Sequence, residues 1–216
     1  TDLSVRWMQG TRTPPDKNTG LWYDVKLSAG GGLHLQDPFV QTELDLPSVK
    51  TATLTISGTL MNKENRAVEG SVSGVIVHVN NLEEGGSSDG TGREVKFSQK
   101  VRFDAGENKT FTKQLDIKNP KLWWPVDVGP QNLYDLILEV REETGNISER
   151  DTVRFGIREA ALGLENHSGK EIMVYRVNGQ RILLRGGDWT ETMMVETTPE
   201  REEATIRYAK NMHLNT

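Results

Sequence analysis

The chain has 216 residues, enough for one large domain or two small ones, and its 35% hydrophobic content together with 21 glycines supports a sizeable folded core. A net charge of -5 with both signs interspersed supplies no basic stripe, which argues against nucleic acid as a partner. The absence of cysteine excludes a disulfide framework, thiolate catalysis and thiolate zinc sites within these residues. The longest uncharged apolar runs, such as Val75–Val79, fall far short of the roughly 20 residues that cross a bilayer, so no membrane partner is expected. The chain opens at Thr1 without Met, and the lack of a signal peptide therefore leaves the compartment open.

The first 32 residues hold W-M-Q-G-T-R-T-P-P-D-K-N-T-G, the strand-like L-W-Y-D-V-K-L and then A-G-G-G. This is too little to bury a core alone and reads as the tail of a preceding β domain, with Ala29–Gly32 as the turn out. Asp16 follows Pro14-Pro15, where an aspartate is most simply a turn former.

From Val49 to Leu60 the residues alternate, with Ala52, Leu54, Ile56 and Leu60 on one face and Thr51, Thr53, Thr55, Ser57 and Thr59 on the other. That period predicts a half-buried strand. Similar segments follow at 71–79, 94–103, 110–117, 133–140 and 152–157. Six strands separated by turn residues, with no helical period, predict an immunoglobulin-like antiparallel β-sandwich, although the Cys…Trp…Cys signature is missing. Gly85–Gly92 reads as a flexible loop, and Glu142-Glu143 as a solvated turn. Trp123-Trp124-Pro125 concentrates aromatic area that serves either as a sugar platform or, the favoured reading, as packing between strands or domains.

After Arg158 the grammar changes. Runs at 171–177 and 180–185 flank Asn178-Gly179, a strong hairpin signal. Beyond Gly186-Gly187-Asp188-Trp189, the Thr198-Pro199-Glu200 start and the spacing of Ile206, Ala209 and Met212 predict a helix. A strand, a loop and a helix in this order look like the first unit of a parallel (β/α)8 barrel cut short. The C-terminal ends of such strands carry active sites, which singles out Asp188 and Trp189.

No phosphate loop, dinucleotide fingerprint or nucleophile elbow occurs, and no cofactor is expected. His34, His78, His167 and His213 are scattered without metal spacing, and no metal site is assigned. Asn108, Asn146 and Asn166 each open an N-glycosylation sequon, of which chance supplies one or two in such a chain, so they do not decide the host.

The ordered set P-P-D-K-N-T-G-L-W-Y-D-V (14–25), L-W-W-P (122–125), L-Y-D-L (133–136), V-R-F-G-I-R (153–158) and V-N-G-Q-R-I-L-L-R-G-G-D-W (177–189) resembles glycoside hydrolase family 2. Within that family the resemblance is greatest to the exo-β-D-glucosaminidases, followed by the plant-type endo-β-mannosidases. It implies a jelly-roll sugar-binding domain ending near Gly32, a sandwich over 33–160, and the start of a catalytic barrel over 161–216. The chain would then be a non-catalytic fragment of a retaining glycosidase that acts on β-linked, chitosan-type oligosaccharides. The two catalytic glutamates are expected on later barrel strands, outside this sequence, so no residue here is assigned a catalytic role. The resemblance also implies that Asp16, Asp188 and Trp189 bind substrate, and that this chain packs within one molecule against the rest of the jelly roll and barrel. A secreted or periplasmic location is favoured on the same ground. The segment after Trp189 departs from both subfamilies, which keeps β-mannosidase and β-galactosidase as alternatives. A non-catalytic carbohydrate-binding or adhesion module is the competing class.

Overall fold

The computed structural model describes residues 29–79, 94–188 and 198–215, together with Val25 and Leu27. Asp16, the Gly85–Gly92 loop and Trp189 lie outside the described residues. Seven strands occupy the centre of the chain: β1 (Leu33–Leu44), β2 (Thr51–Asn62), β3 (Val68–Val79), β4 (Val95–Phe103), β5 (Asn108–Lys118), β6 (Leu133–Glu142) and β7 (Ile147–Phe155). They form two antiparallel sheets, ordered β1-β2-β5 and β4-β3-β6-β7. The fold is mainly β and consistent with a sandwich. In the constant-type immunoglobulin arrangement the sheets divide four and three, with the fourth strand beside the fifth. Here β4 pairs with β3, so the fourth strand has changed sheets.

Strand periodicity explains why the layers meet. Ala52, Leu54 and Ile56 of β2 are fully buried, as are Leu136, Leu138 and Val140 of β6 and Val72 of β3, and all belong to one core. The threonines of β2 take the other face, as the alternation predicts. Asn62 is a polar side chain buried within this frame, and its hydrogen bonds are made. Asn62 donates to the carbonyls of Arg66 and Asp104 at 2.8 and 2.9 Å and accepts from the Glu64 amide at 3.0 Å.

Four elements differ from the sequence expectation, and one of them is β8 (Ala160–His167), a strand where none is expected. β1 has no counterpart among the expected strands, since Asp37-Pro38 breaks its alternation. The backbone absorbs these residues in a register shift between Gln36 and Phe39, with Asp37 at φ 51°. The turn expected at Ala29–Gly32 is instead a bend pinned to the sandwich, described below. The run expected over 180–185 is a strand only at Gln180–Ile182 (β10), and it lies in an antiparallel sheet with β9 (Lys170–Val177) and β8 (Ala160–His167). Two type I′ hairpins build that sheet, with positive φ at Ser168-Gly169 and at Asn178-Gly179.

Two compact units result. One is Gly30–Leu184; the described part of the other contains residues 185–188 and 198–215. In the latter, helix α1 (Pro199–Asn211) begins at Thr198, whose hydroxyl accepts from the Arg201 amide at 3.3 Å, and has Pro199 in its first turn. It ends with His213 at φ 58°, the His213 amide bonding to the Lys210 carbonyl and the Leu214 amide to the Ala209 carbonyl. This is a Schellman closure. The chain then returns to Arg185: the Asn215 amide donates to the Arg185 carbonyl, and the Arg185 amide to the Asn215 side chain, both at 2.8 Å.

Candidate functional site

Of the three residues singled out as substrate binders, only Asp188 is described. It is exposed, at the end of an irregular run that leaves β10. The site itself is therefore not assembled from described side chains. Two described segments lead along the chain toward these residues, Gly30–Gly32 on the side of Asp16 and β8–β10 on the side of Asp188.

At the first segment, the Gly31 amide donates to the Ser148 carbonyl at 3.0 Å and the Gly32 amide to Glu142 Oε1 at 2.9 Å. Ser148, itself buried, donates its hydroxyl to the same Glu142 oxygen at 2.8 Å. These bonds, that of Gly32 first, hold the Glu142 carboxyl below its ordinary pKa. The expectation of a solvated Glu142-Glu143 turn is thus corrected at Glu142, whose carboxylate fastens the incoming chain. The glycines are needed because the backbones meet closely. A Cβ at Gly31 would lie 2.2 Å from Ser148 Oγ.

At the second segment, Trp123 acts as a packing residue. The Arg158 guanidinium lies 4.3 Å from its ring centroid, and Gly156 is so close that a Cβ there would meet the Trp123 Cβ at 2.9 Å. Trp124 packs in the same way against Gly129. The packing reading of Trp123-Trp124 therefore accounts for the contacts seen. Asn178, in the β9–β10 turn, is buried and donates its side-chain amide to the Trp123 carbonyl at 3.0 Å.

One face of the β8–β10 sheet is apolar and uncovered. Cross-strand partners share a face, and the register sets Leu162 opposite Tyr175 and Leu164 opposite Met173. These four side chains are 57, 38, 65 and 58% exposed. The opposite face carries Glu165, which pairs with Arg176 and Arg181. Contiguous apolar area of this kind marks an interaction surface.

His78 Nε2 lies 3.3 Å from the Asn132 side-chain oxygen and its ring packs on Tyr134, a structural setting. Among the described residues no group of three or more His, Asp or Glu could hold a metal ion, and no helix is long and apolar enough to cross a membrane.

Comparison with known proteins places this framework in a family. Residues 33–158 match the model of "Glycosyl hydrolases family 2". An exo-β-D-glucosaminidase of Streptomyces avermitilis is 33% identical over 225 residues, an alignment that covers 100% of this chain and 22% of that protein. Among solved structures, an exo-chitosanase of Amycolatopsis orientalis is 30% identical with a TM-score of 0.77, over 94% of this chain and 22% of that one. A β-D-mannosidase of Dictyoglomus thermophilum is 25% identical with a TM-score of 0.72, over 94% of this chain and 23% of that one. The chain thus spans about a fifth of the length of these relatives, and it belongs to glycosyl hydrolase family 2.

Proposed function

We propose that this chain is a non-catalytic part of a retaining glycosidase that acts on β-linked glucosamine in chitosan-type oligosaccharides. The observation that carries the reading is the match to an exo-β-D-glucosaminidase across the whole of this chain but only 22% of that protein. The exposed apolar face of Leu162, Leu164, Met173 and Tyr175 supports it from the structure, since the missing remainder of such a protein would cover that face. The return of the chain from α1 to Arg185 supports the opening of a barrel near Arg181, because the helix of a parallel unit brings the segment after it back beside the segment before it. On this reading residues 1–32 close a jelly roll, 33–160 form the immunoglobulin-like sandwich, and 161–216 open the barrel.

The chemistry follows from the two-carboxylate mechanism. One glutamate attacks the anomeric carbon, the other first protonates the leaving oxygen and then deprotonates water, and the pair stands about 5 to 5.5 Å apart. The reading assigns both to chain beyond Thr216. Asp16, Asp188 and Trp189 are assigned to the terminal sugar, the carboxylates recognising its ammonium by charge-assisted hydrogen bonds and the indole offering a stacking face.

A protein that contains this sequence together with its barrel should release glucosamine from chitosan oligosaccharides faster than it cleaves aryl β-mannosides or β-galactosides, and residues 1–216 alone should release none. Preference for the mannoside would favour the second reading, which the Dictyoglomus mannosidase structure supports. Hydrolysis by residues 1–216 alone, surviving repurification, would reject the assignment of the catalytic pair.

A further inference from the structure

We propose that Asn178 is a positioning residue that holds the β8–β10 sheet at one fixed attitude on the sandwich, so that the chain running on to Asp188 starts from a defined frame. An Asn-Gly pair in a two-residue hairpin needs no explanation beyond positive φ, and here Asn178 and Gly179 stand at 51° and 79°. A turn former normally faces solvent. Asn178 is only 4% exposed, and its side chain makes bonds that the turn does not require.

Its amide donates to the Trp123 carbonyl at 3.0 Å, 55 residues away, and its oxygen accepts from the Glu159 amide at 3.0 Å. Its backbone amide donates to the Glu159 carbonyl at 2.8 Å. Both partners are themselves tied to the sandwich. The Trp123 amide bonds to the Ile157 carbonyl at 2.9 Å, and the Glu159 carboxylate accepts from the Leu44 amide at 3.1 Å. One residue thus joins the tip of the β9–β10 hairpin to the 122–125 segment and to the strand linker. Little else in β8–β10 is available for the purpose, because its buried apolar side chains are Val174 and Ile182 while its broad apolar face is open. The Gly31 and Gly32 contacts do the same at the other end of the unit.

The functional consequence rests on the reading that Asp16 and Asp188 bind the same sugar. If they do, loosening Asn178 should remove the benefit of Asp16. Asn178→Gly is the informative variant, since glycine keeps the positive-φ turn and deletes only the side-chain bonds. Asn178→Asp keeps the shape and the acceptor but loses the donor to Trp123.

Two measurements separate the possibilities. In residues 1–216, hydrogen exchange of Asn178→Gly should show loss of protection in β8–β10 with β2 and β6 unchanged, and Asn178→Asp the same to a lesser degree. Unchanged β8–β10, or equal loss in β2 and β6, would overturn the positioning role whatever the kinetics. In the longer glycosidase, Asn178→Gly should lower kcat/KM about tenfold, since displacement by about 1 Å can cost a hundredfold. The Asp16→Ala/Asn178→Gly double variant should fall no further than Asp16→Ala. Multiplying losses would reject the proposal, whereas an Asp16→Ala variant as active as wild type would reject only the substrate reading.

Discussion

The hydroxyl of Ser148 and the carboxylate of Glu142 meet at 2.8 Å, and the oxygen they share also receives the Gly32 amide. This carboxylate therefore fastens the chain that enters the sandwich together with Ser148, whose carbonyl accepts from the Gly31 amide. The lowered pKa of Glu142 makes the fastening pH-dependent. A carboxyl depressed in the folded state stabilises above its unfolded pKa, about 4.3 for glutamate, and loses that contribution as pH falls through the folded value. Asp135 and Glu139, lowered by Arg154 and by Arg141 and Arg150, act in the same direction. The melting temperature should hold from pH 8 to 5 and fall below about pH 4.3. Glu142→Gln keeps a neutral acceptor and should flatten that fall in part. An acid transition identical to wild type would assign it to other groups.

Glycine to alanine substitutions should separate sharply by site. At Gly31 the new Cβ would lie 2.2 Å from Ser148 Oγ and 2.7 Å from Glu142 Oε1, whereas at Gly163 nothing lies within 4 Å. Gly31→Ala should destabilise by about 1 to 3 kcal/mol through overpacking. Gly163→Ala should be neutral or stabilise by about 0.4 to 1 kcal/mol through the unfolded state. Chemical denaturation of both variants decides the matter, and equal stabilities would contradict the close approach at Gly31.

Much of the sandwich is legible in the sequence because its strands alternate cleanly, Ala52, Leu54 and Ile56 being buried and Thr51, Thr53 and Thr55 not. β1 is not, since Asp37-Pro38 interrupts the period and only the bulge in the folded sheet restores it. The Asn178-Gly179 hairpin is legible from its turn chemistry, and its attachment to Trp123 is not. That bond joins residues far apart in sequence, and no local signal encodes such a pairing. The role of Glu142 is hidden for the same reason: two adjacent glutamates read as solvent-facing, and only the fold brings Gly32 against one of them. Of the candidate site, the sequence supplies residues by resemblance alone, while the described structure supplies the fastenings at Gly31–Gly32 and at Asn178.

Hydrogen exchange should rank the elements by burial. Amides of β2 and β6, whose inner residues are fully buried, should exchange at the global rate, and those of β8–β10 sooner. Helix α1 has 13 residues and none buried. Helices shorter than about 12 to 15 residues are marginal without tertiary contacts, so its amides should exchange fastest among the described elements. Protection of α1 equal to that of β2 in a monomeric sample would contradict this ranking.

In the longer glycosidase, Asp16→Ala and Asp188→Asn should each discriminate between sugars. Loss of one charge-assisted bond costs about 1.5 to 3 kcal/mol, or roughly ten- to a hundredfold in kcat/KM. If, as proposed, the bond is to an ammonium, the loss should be larger for aryl β-glucosaminides than for the neutral β-glucosides. Trp189→Ala serves as the contrast: stacking on an indole depends on the sugar face and not on its charge, so both substrates should suffer alike. If Asp16 is only the turn former that Pro14-Pro15 suggests, its loss should track a lowered melting temperature and be equal for the two sugars. Kinetics of both substrates on the same purified variant, with its melting temperature, distinguish the roles, and equal losses accompanied by destabilisation would reject recognition of the amine by Asp16.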